Sequence, residues 1–213
     1  MRSRSFVVSG FILSALLLSS SPAFAQVSAG VQGGVNIANV SFDDGSDEDF
    51  SPNFKSKTRA VFGGFVARDF NAKAGLQIDF LYSQKGTKAN FTDGIDTLEQ
   101  DITADYIEIP VLVRANIPGG SVKGRVFGGP SFAFKVSDDS TTKFNGVEVP
   151  DEEGDAEFNT SDVGIVIGGA VQFGKVFVDA RYTWGLTNVI KDPDGNESAK
   201  NRVFGIMVGF QFK

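Results

Sequence analysis

Seven charged residues occupy alternate positions in otherwise apolar or glycine-rich runs: Asp79, Glu108, Arg114, Arg125, Asp162, Asp179 and Arg181. The run at 106–118 reads YIEIPVLVRANIP. One alternate set in it is Ile107, Ile109, Val111, Val113, Ala115 and Ile117, while the other carries Glu108 and Arg114. Successive side chains of a strand point to opposite faces, so one face is apolar and the other holds a carboxylate and a guanidinium. Charges of both signs enclosed between strands form either an ion path or a hydrogen-bonded filling. A second candidate is the acidic stretch 41–54, where Asp43, Asp44, Asp47, Glu48 and Asp49 offer the carboxylate oxygens that hard divalent cations prefer. Their spacing fits no EF-hand loop, and a solvated charge run is the default.

Composition removes several chemistries. The chain has no histidine, so the usual general base and commonest metal ligand are missing. It has no cysteine, hence neither a disulfide framework nor a thiolate metal site. No serine or acid sits beside a recognisable base, so no enzyme activity and no cofactor are expected. Residues 1–25 combine a basic start, an apolar run at 6–18 and the small-x-small site Ala23-Phe24-Ala25. They read as a secretory signal peptide cleaved after Ala25, too short to span a bilayer. Its removal takes Arg2 and Arg4, leaving 18 bases against 26 acids, a net charge of −8. That balance excludes a clustered cationic footprint for nucleic acid.

The remaining domain, 26–213, must position the seven charges with strands, because it shows a succession of alternating segments and no helical period. Eight segments centre on 27–37, 59–70, 74–82, 106–117, 123–136, 162–173, 176–186 and 204–212; the faces of the second cannot be assigned, since residues 61–66 are apolar on both. Each approaches the ~9–11 residues that a tilted strand needs to cross a bilayer. Short turns at 71–73, 118–120 and 174–175 alternate with long polar loops at 39–58, 84–101, 137–160 and 188–201. This predicts an all-β, eight-stranded antiparallel up-and-down transmembrane β-barrel with short periplasmic turns and long extracellular loops. A soluble lipocalin-like barrel gives the same alternation with the apolar face inside. Glycines on the polar face and aromatics near strand ends (Phe70, Tyr82, Phe134, Phe173, Trp184, Phe212) favour the membrane.

The stretches FLYSQKG at 80–86, YIEIPVLVRANI at 106–117, VFGGPSFAF at 126–134, DARYTWGLTNV at 179–189 and the closing VFGIMVGFQF resemble the outer-membrane β-barrel domain family that includes PorT-like and "porin family" proteins. That resemblance implies an eight-stranded barrel in the outer membrane of a diderm bacterium, with some members associated with protein secretion.

Parity places Asp79, Glu108, Asp162 and Asp179 in the lumen with Arg114, Lys123, Arg125, Lys135 and Arg181. Arg114 is expected roughly opposite Arg125, with Asp79 or Asp179 supplying a carboxylate. The expected function is a structural or interaction role, adhesive or scaffolding, with a polar, plugged lumen. A narrow porin is the alternative. Outer-membrane lipid is the expected surrounding, and a protein partner would meet extracellular hairpins. Asp93-Gly94 and Asn145-Gly146 are type I′ turn dipeptides, which predicts that the third to sixth strands project as hairpins. Pro110 cannot donate to a closed ladder, so a bulge or a missing bond is expected there.

Overall fold

A computed structural model describes residues 26–43, 53–93, 96–149, 159–188 and 198–212. The elements are β1 (Gln26–Asp43), β2 (Asn53–Asp69), β3 (Ala74–Asp93), β4 (Asp96–Ile117), β5 (Val122–Phe144), β6 (Val147–Val149), β7 (Ser161–Phe173), β8 (Val176–Gly185) and β9 (Ser198–Gln211). All pairings are antiparallel, in the order β4-β3-β2-β1-β9-β8-β7-β5, and a β4–β5 pairing closes the ring at eight strands. β6 lies outside the ring, paired to the end of β5.

The apolar faces turn outward. Ile107 and Val113 are 40% and 63% exposed, whereas Glu108 and Arg114, each next along the strand, are 6% and 3%. The same division settles β2: Phe62 and Val66 face out, while Val61, Phe65 and Ala67 face in. Phe70, Phe173, Trp184 and Phe212 are exposed toward the strand ends, while Phe134, also exposed, and Tyr82 fall mid-strand because β5 and β3 run further than expected. A soluble barrel would carry its apolar set inside, so this arrangement excludes the lipocalin-like alternative.

The connections at one end are short. The Asn71 side chain accepts hydrogen bonds from the amides of Lys73 (2.8 Å) and Ala74 (2.9 Å), an Asx turn that reverses the chain between β2 and β3. At the other end the strands run further than expected. β3, β4 and β5 have 20, 22 and 23 residues, against 13 and 10 for β7 and β8. Most of 84–101 and 137–149, expected as loop, is therefore sheet. These segments are polar on both faces at many positions, so hydrophobic alternation does not mark them, although their threonines favour extended backbone.

The β3–β4 ladder extends to Asp93↔Asp96, so Asp93 of the expected Asp93-Gly94 dipeptide is a paired strand residue, and 94–95 lie outside the described residues. The Asn145-Gly146 turn forms as expected, with φ of 50° and 81° between Phe144 and Val147. The strand it leads into is only β6. The sixth strand of the ring, β7, starts at Ser161 and does not project.

Pro110 produces a gap rather than a bulge. The β3–β4 ladder skips Asp79 and Phe80 opposite Ile109 and Pro110, with unchanged register on either side. The β4–β5 ladder skips Val111 and Leu112 opposite Gly129 and Pro130. Each gap contains a proline, which has no amide to donate. The β4–β5 irregularity falls instead between Asp105 and Tyr106.

Candidate functional site

All seven singled-out charges lie inside the ring, at 8% exposure or less. Strand parity brings them there, but their partners differ from expectation. Arg181 is held on three sides: its Nε and Nη2 each donate to Asp179 at 2.9 Å, and Nη1 donates across the lumen to Asp79 at 2.8 Å. Arg114 does not face Arg125; the register sets Arg114 opposite Phe127 and Asn116 opposite Arg125. Neither Asp79 nor Asp179 is its ion-pair partner. Arg114 donates to Asp69 at 2.7 Å and to Gln77 at 3.2 Å, and Gln77 in turn donates to Asp79 at 2.6 Å. Arg125 donates to Gln172 at 2.6 Å and lies 5.1 Å from the centre of the Phe177 ring. A bonded chain thus runs from Asn116 through Asp69, Arg114, Gln77, Asp79 and Arg181 to Asp179.

A second cluster lies nearer the long-hairpin end. Lys85 Nζ stands 3.4 Å from Glu108 and 3.9 Å from Asp162. Ser131 donates to Glu108 at 2.8 Å; Thr187 and Asn201 donate to Asp162 at 2.7 and 2.8 Å. The Lys85 ammonium lies 4.9 Å from the centre of the Tyr106 ring. Lys85 falls in 84–101, expected as loop, so no expected strand parity places it there in advance. Its parity with Gln77, Asp79, Leu81 and Ser83 was the available signal. Of the two lysines also expected inside, Lys123 is exposed beside the β4–β5 turn, whereas Lys135 stands opposite the inward Tyr106 and pairs with Asp138 at 2.9 Å.

The lumen is not wholly polar. Phe65, Ala67, Leu112, Phe127, Val166, Ala170 and Phe177 form a buried apolar cluster, with Phe65 and Phe177 edge-to-face at 5.6 Å. Each of its aromatic rings lies over a glycine of a neighbouring strand. A Cβ added at Gly30 would come within 2.5 Å of the Phe65 ring, at Gly168 within 2.6 Å of Phe127, and at Gly209 within 2.1 Å of Phe177. Three of the glycines on the polar face are thus the recesses that admit the rings. Phe127 and Phe177 share parity with Arg125 and Asp179, so the signal existed in the sequence.

Above the ring, on residues that project beyond it, Asp101 binds Lys57 and lies 3.3 Å from Lys88. Lys57 reaches it across Gly86, where a Cβ would approach the Lys57 chain to 3.3 Å. Burial alone would raise the Asp101 carboxyl, but hydrogen bonds and charge from both lysines outweigh it and hold it below its ordinary value. Among the described residues no group of three potential ligands could hold a metal. The acidic candidates Asp44, Asp47, Glu48 and Asp49, together with the expected signal peptide, lie outside the described residues. Only the backbone of Asp43 is placed, paired with Ser198.

A family model described as outer membrane protein beta-barrel domain matches residues 20–191. The chain belongs to this family. It is a protein of the bacterial outer membrane, and Ile107, Val113 and their neighbours face lipid. No curated protein matches the sequence. Among solved structures, Ail, the attachment invasion locus protein of Yersinia pestis in complex with the heparin analogue sucrose octasulfate, is 16% identical, covering 88% of this chain and 99% of that one at a TM-score of 0.39. OprG from Pseudomonas aeruginosa is 11% identical, with coverages of 89% and 98% and a TM-score of 0.48. Neisserial surface protein A is 12% identical, with coverages of 88% and 99% and a TM-score of 0.46.

Proposed function

We propose that this outer-membrane barrel is a non-conducting wall that displays its long hairpins as an interaction platform outside the cell. One observation carries the closed lumen. The inward side chains Asp79, Leu112, Val166, Met207 and Asp179, from five different strands, are between 0% and 2% exposed. A water-filled path would leave accessible surface on the side chains that line it. The aromatic cluster and the Arg181 network together occupy that space, and eight strands leave little room beyond their own side chains. The charges of the network then fix strand register and satisfy one another, with no selectivity field for a permeating ion.

The display role is supported by the unequal wall. The strands with the longest extensions are adjacent, so β3, β4 and β5 carry one continuous sheet beyond the rim. This reading places the short turns in the periplasm and assigns the barrel no catalytic step. Planar-bilayer recording of the purified protein tests it: the expected result is a silent membrane, and discrete, reproducible openings would favour the narrow porin instead.

A further inference from the structure

The tip of the projecting sheet ends in an order that its neighbours leave incomplete. Across β4, β5 and β6 two adjacent rungs are set by register: Leu98↔Phe144↔Val147 and Glu99↔Lys143↔Glu148. Residues directly opposite in a ladder point to the same face, so the first rung is apolar throughout and the second alternates acid, base, acid. Leu98, Phe144 and Val147 are 38%, 45% and 68% exposed. They are not part of the lipid-facing band. On β4 the outward register has already turned from Ile107 to Asp105, Thr103, Asp101 and Glu99, which marks the passage from bilayer to water.

β6 is an edge strand. Among the described residues it pairs with β5 alone. In a two-residue hairpin the pair flanking the turn, here Phe144 and Val147, shares the close hydrogen bonds, so the next residue directs its amide and carbonyl away from its partner. That residue is Glu148. The free edge therefore presents a backbone donor and acceptor at Glu148, with Val147 and Val149 flanking it on the opposite face.

A second copy of the chain fits this edge poorly. Antiparallel self-pairing centred on β6 sets Glu148 opposite its own equivalent, and directly opposed like charges are destabilising. The acid-base-acid rung calls instead for a cation as its fourth member. We propose that the β6 edge accepts an extended segment of another protein in which apolar and basic residues alternate, the basic side chain falling opposite Glu148 and the apolar ones beside Val147 and Val149. This rests on the display reading above and names the partner's chemistry.

The test uses the full-length barrel in nanodiscs of zwitterionic lipid, with empty discs as blank. The probes are short fluorescent peptides alternating valine with lysine, alternating valine with glutamate, and a scrambled valine–lysine sequence, followed by anisotropy. The wild type should bind the alternating valine–lysine peptide over both others. Glu148→Lys should weaken that peptide by about tenfold and shift preference to the valine–glutamate peptide, since a cross-strand charge pair changes sign. Glu148→Pro, which removes the edge amide, should abolish binding of both. Heat-modifiable gel migration confirms that each variant is folded. Equal binding of the alternating and scrambled peptides, or no change on charge reversal, overturns the proposal. Silent bilayers from the same preparation, alongside absent peptide binding, would leave the closed barrel standing and remove only the edge.

Discussion

Along β4 the outward face carries opposite polarity in two regions. Where β4 spans the membrane it turns Ile107, Ile109, Val111 and Val113 outward and Glu108 and Arg114 inward. Beyond the rim its outward register becomes Asp105, Thr103, Asp101 and Glu99, while Ile102 and Leu98 pass to the other face. On the β3 side the pairing does not change, since the β3–β4 register holds a single value from Ala74↔Ala115 to Asp93↔Asp96, while the β4–β5 ladder shifts by one residue between Asp105 and Tyr106. What changes is the medium outside. Lipid demands an apolar exterior and forces charges into the lumen, where each must find a partner; water makes no such demand. The inversion locates the bilayer surface near Tyr82, whose hydroxyl donates to Asp105 at 2.5 Å.

The comparison can be broken most severely from inside the spanning region. Arg181→Ala leaves Asp79 and Asp179 buried without their cation, and folding stability in urea should fall by about 3–5 kcal/mol. If the loss is under 1 kcal/mol, on the order of a surface ion pair, the lumen is as wet as the tip. Next comes the exterior itself. Val113→Arg should cost about 2–4 kcal/mol near mid-bilayer, whereas Ser137→Arg, at an exposed position opposite Asp105 beyond the rim, should stay within about 0.5 kcal/mol. Similar costs at both sites would erase the boundary drawn at Tyr82.

Packing gives a smaller effect. Gly209→Ala pushes a methyl group into the Phe177 ring and should destabilise by about 1–3 kcal/mol. Phe177→Leu in the same background should recover part of that loss, measured as a double-mutant cycle. Smallest is the titration of Asp101 at the projecting sheet. Its carboxyl is held below the ordinary 3.8, so the stability it contributes is complete above that value and is lost only as pH falls through the lowered one. Protection factors from amide exchange over 86–103, corrected for intrinsic rate, should stay flat down to about pH 4 and fall below it. Asp101→Asn should remove the step.

Much of this architecture was legible. The alternation in YIEIPVLVRANIP assigned every side chain of 106–117 to its face, and turn chemistry located all three tight connections of the short-turn end. Asn145-Gly146 announced its hairpin, and Pro110 announced a fault in the ladder. Less legible were the projecting extensions, because strands wet on both faces show no hydrophobic period. The loss of Lys85 followed from that one boundary. The aromatic cluster was missed for another reason: Phe127 and Phe177 had the right parity, but an inward aromatic in a polar series has a role only when the glycine beneath it is known.

Alternation with period two is local, so the sequence by itself determined which residues share a face and, through composition and turns, that the faces close into a membrane barrel. Pairing inside the lumen is not local. Arg181 reaches Asp79 across 102 positions of chain, and Arg114 selects Asp69 over nearer candidates because strand tilt and register bring that carboxylate within 2.7 Å. Only the closed ring decides such choices, since it sets which inward side chains meet across the lumen and which ring lies over which glycine.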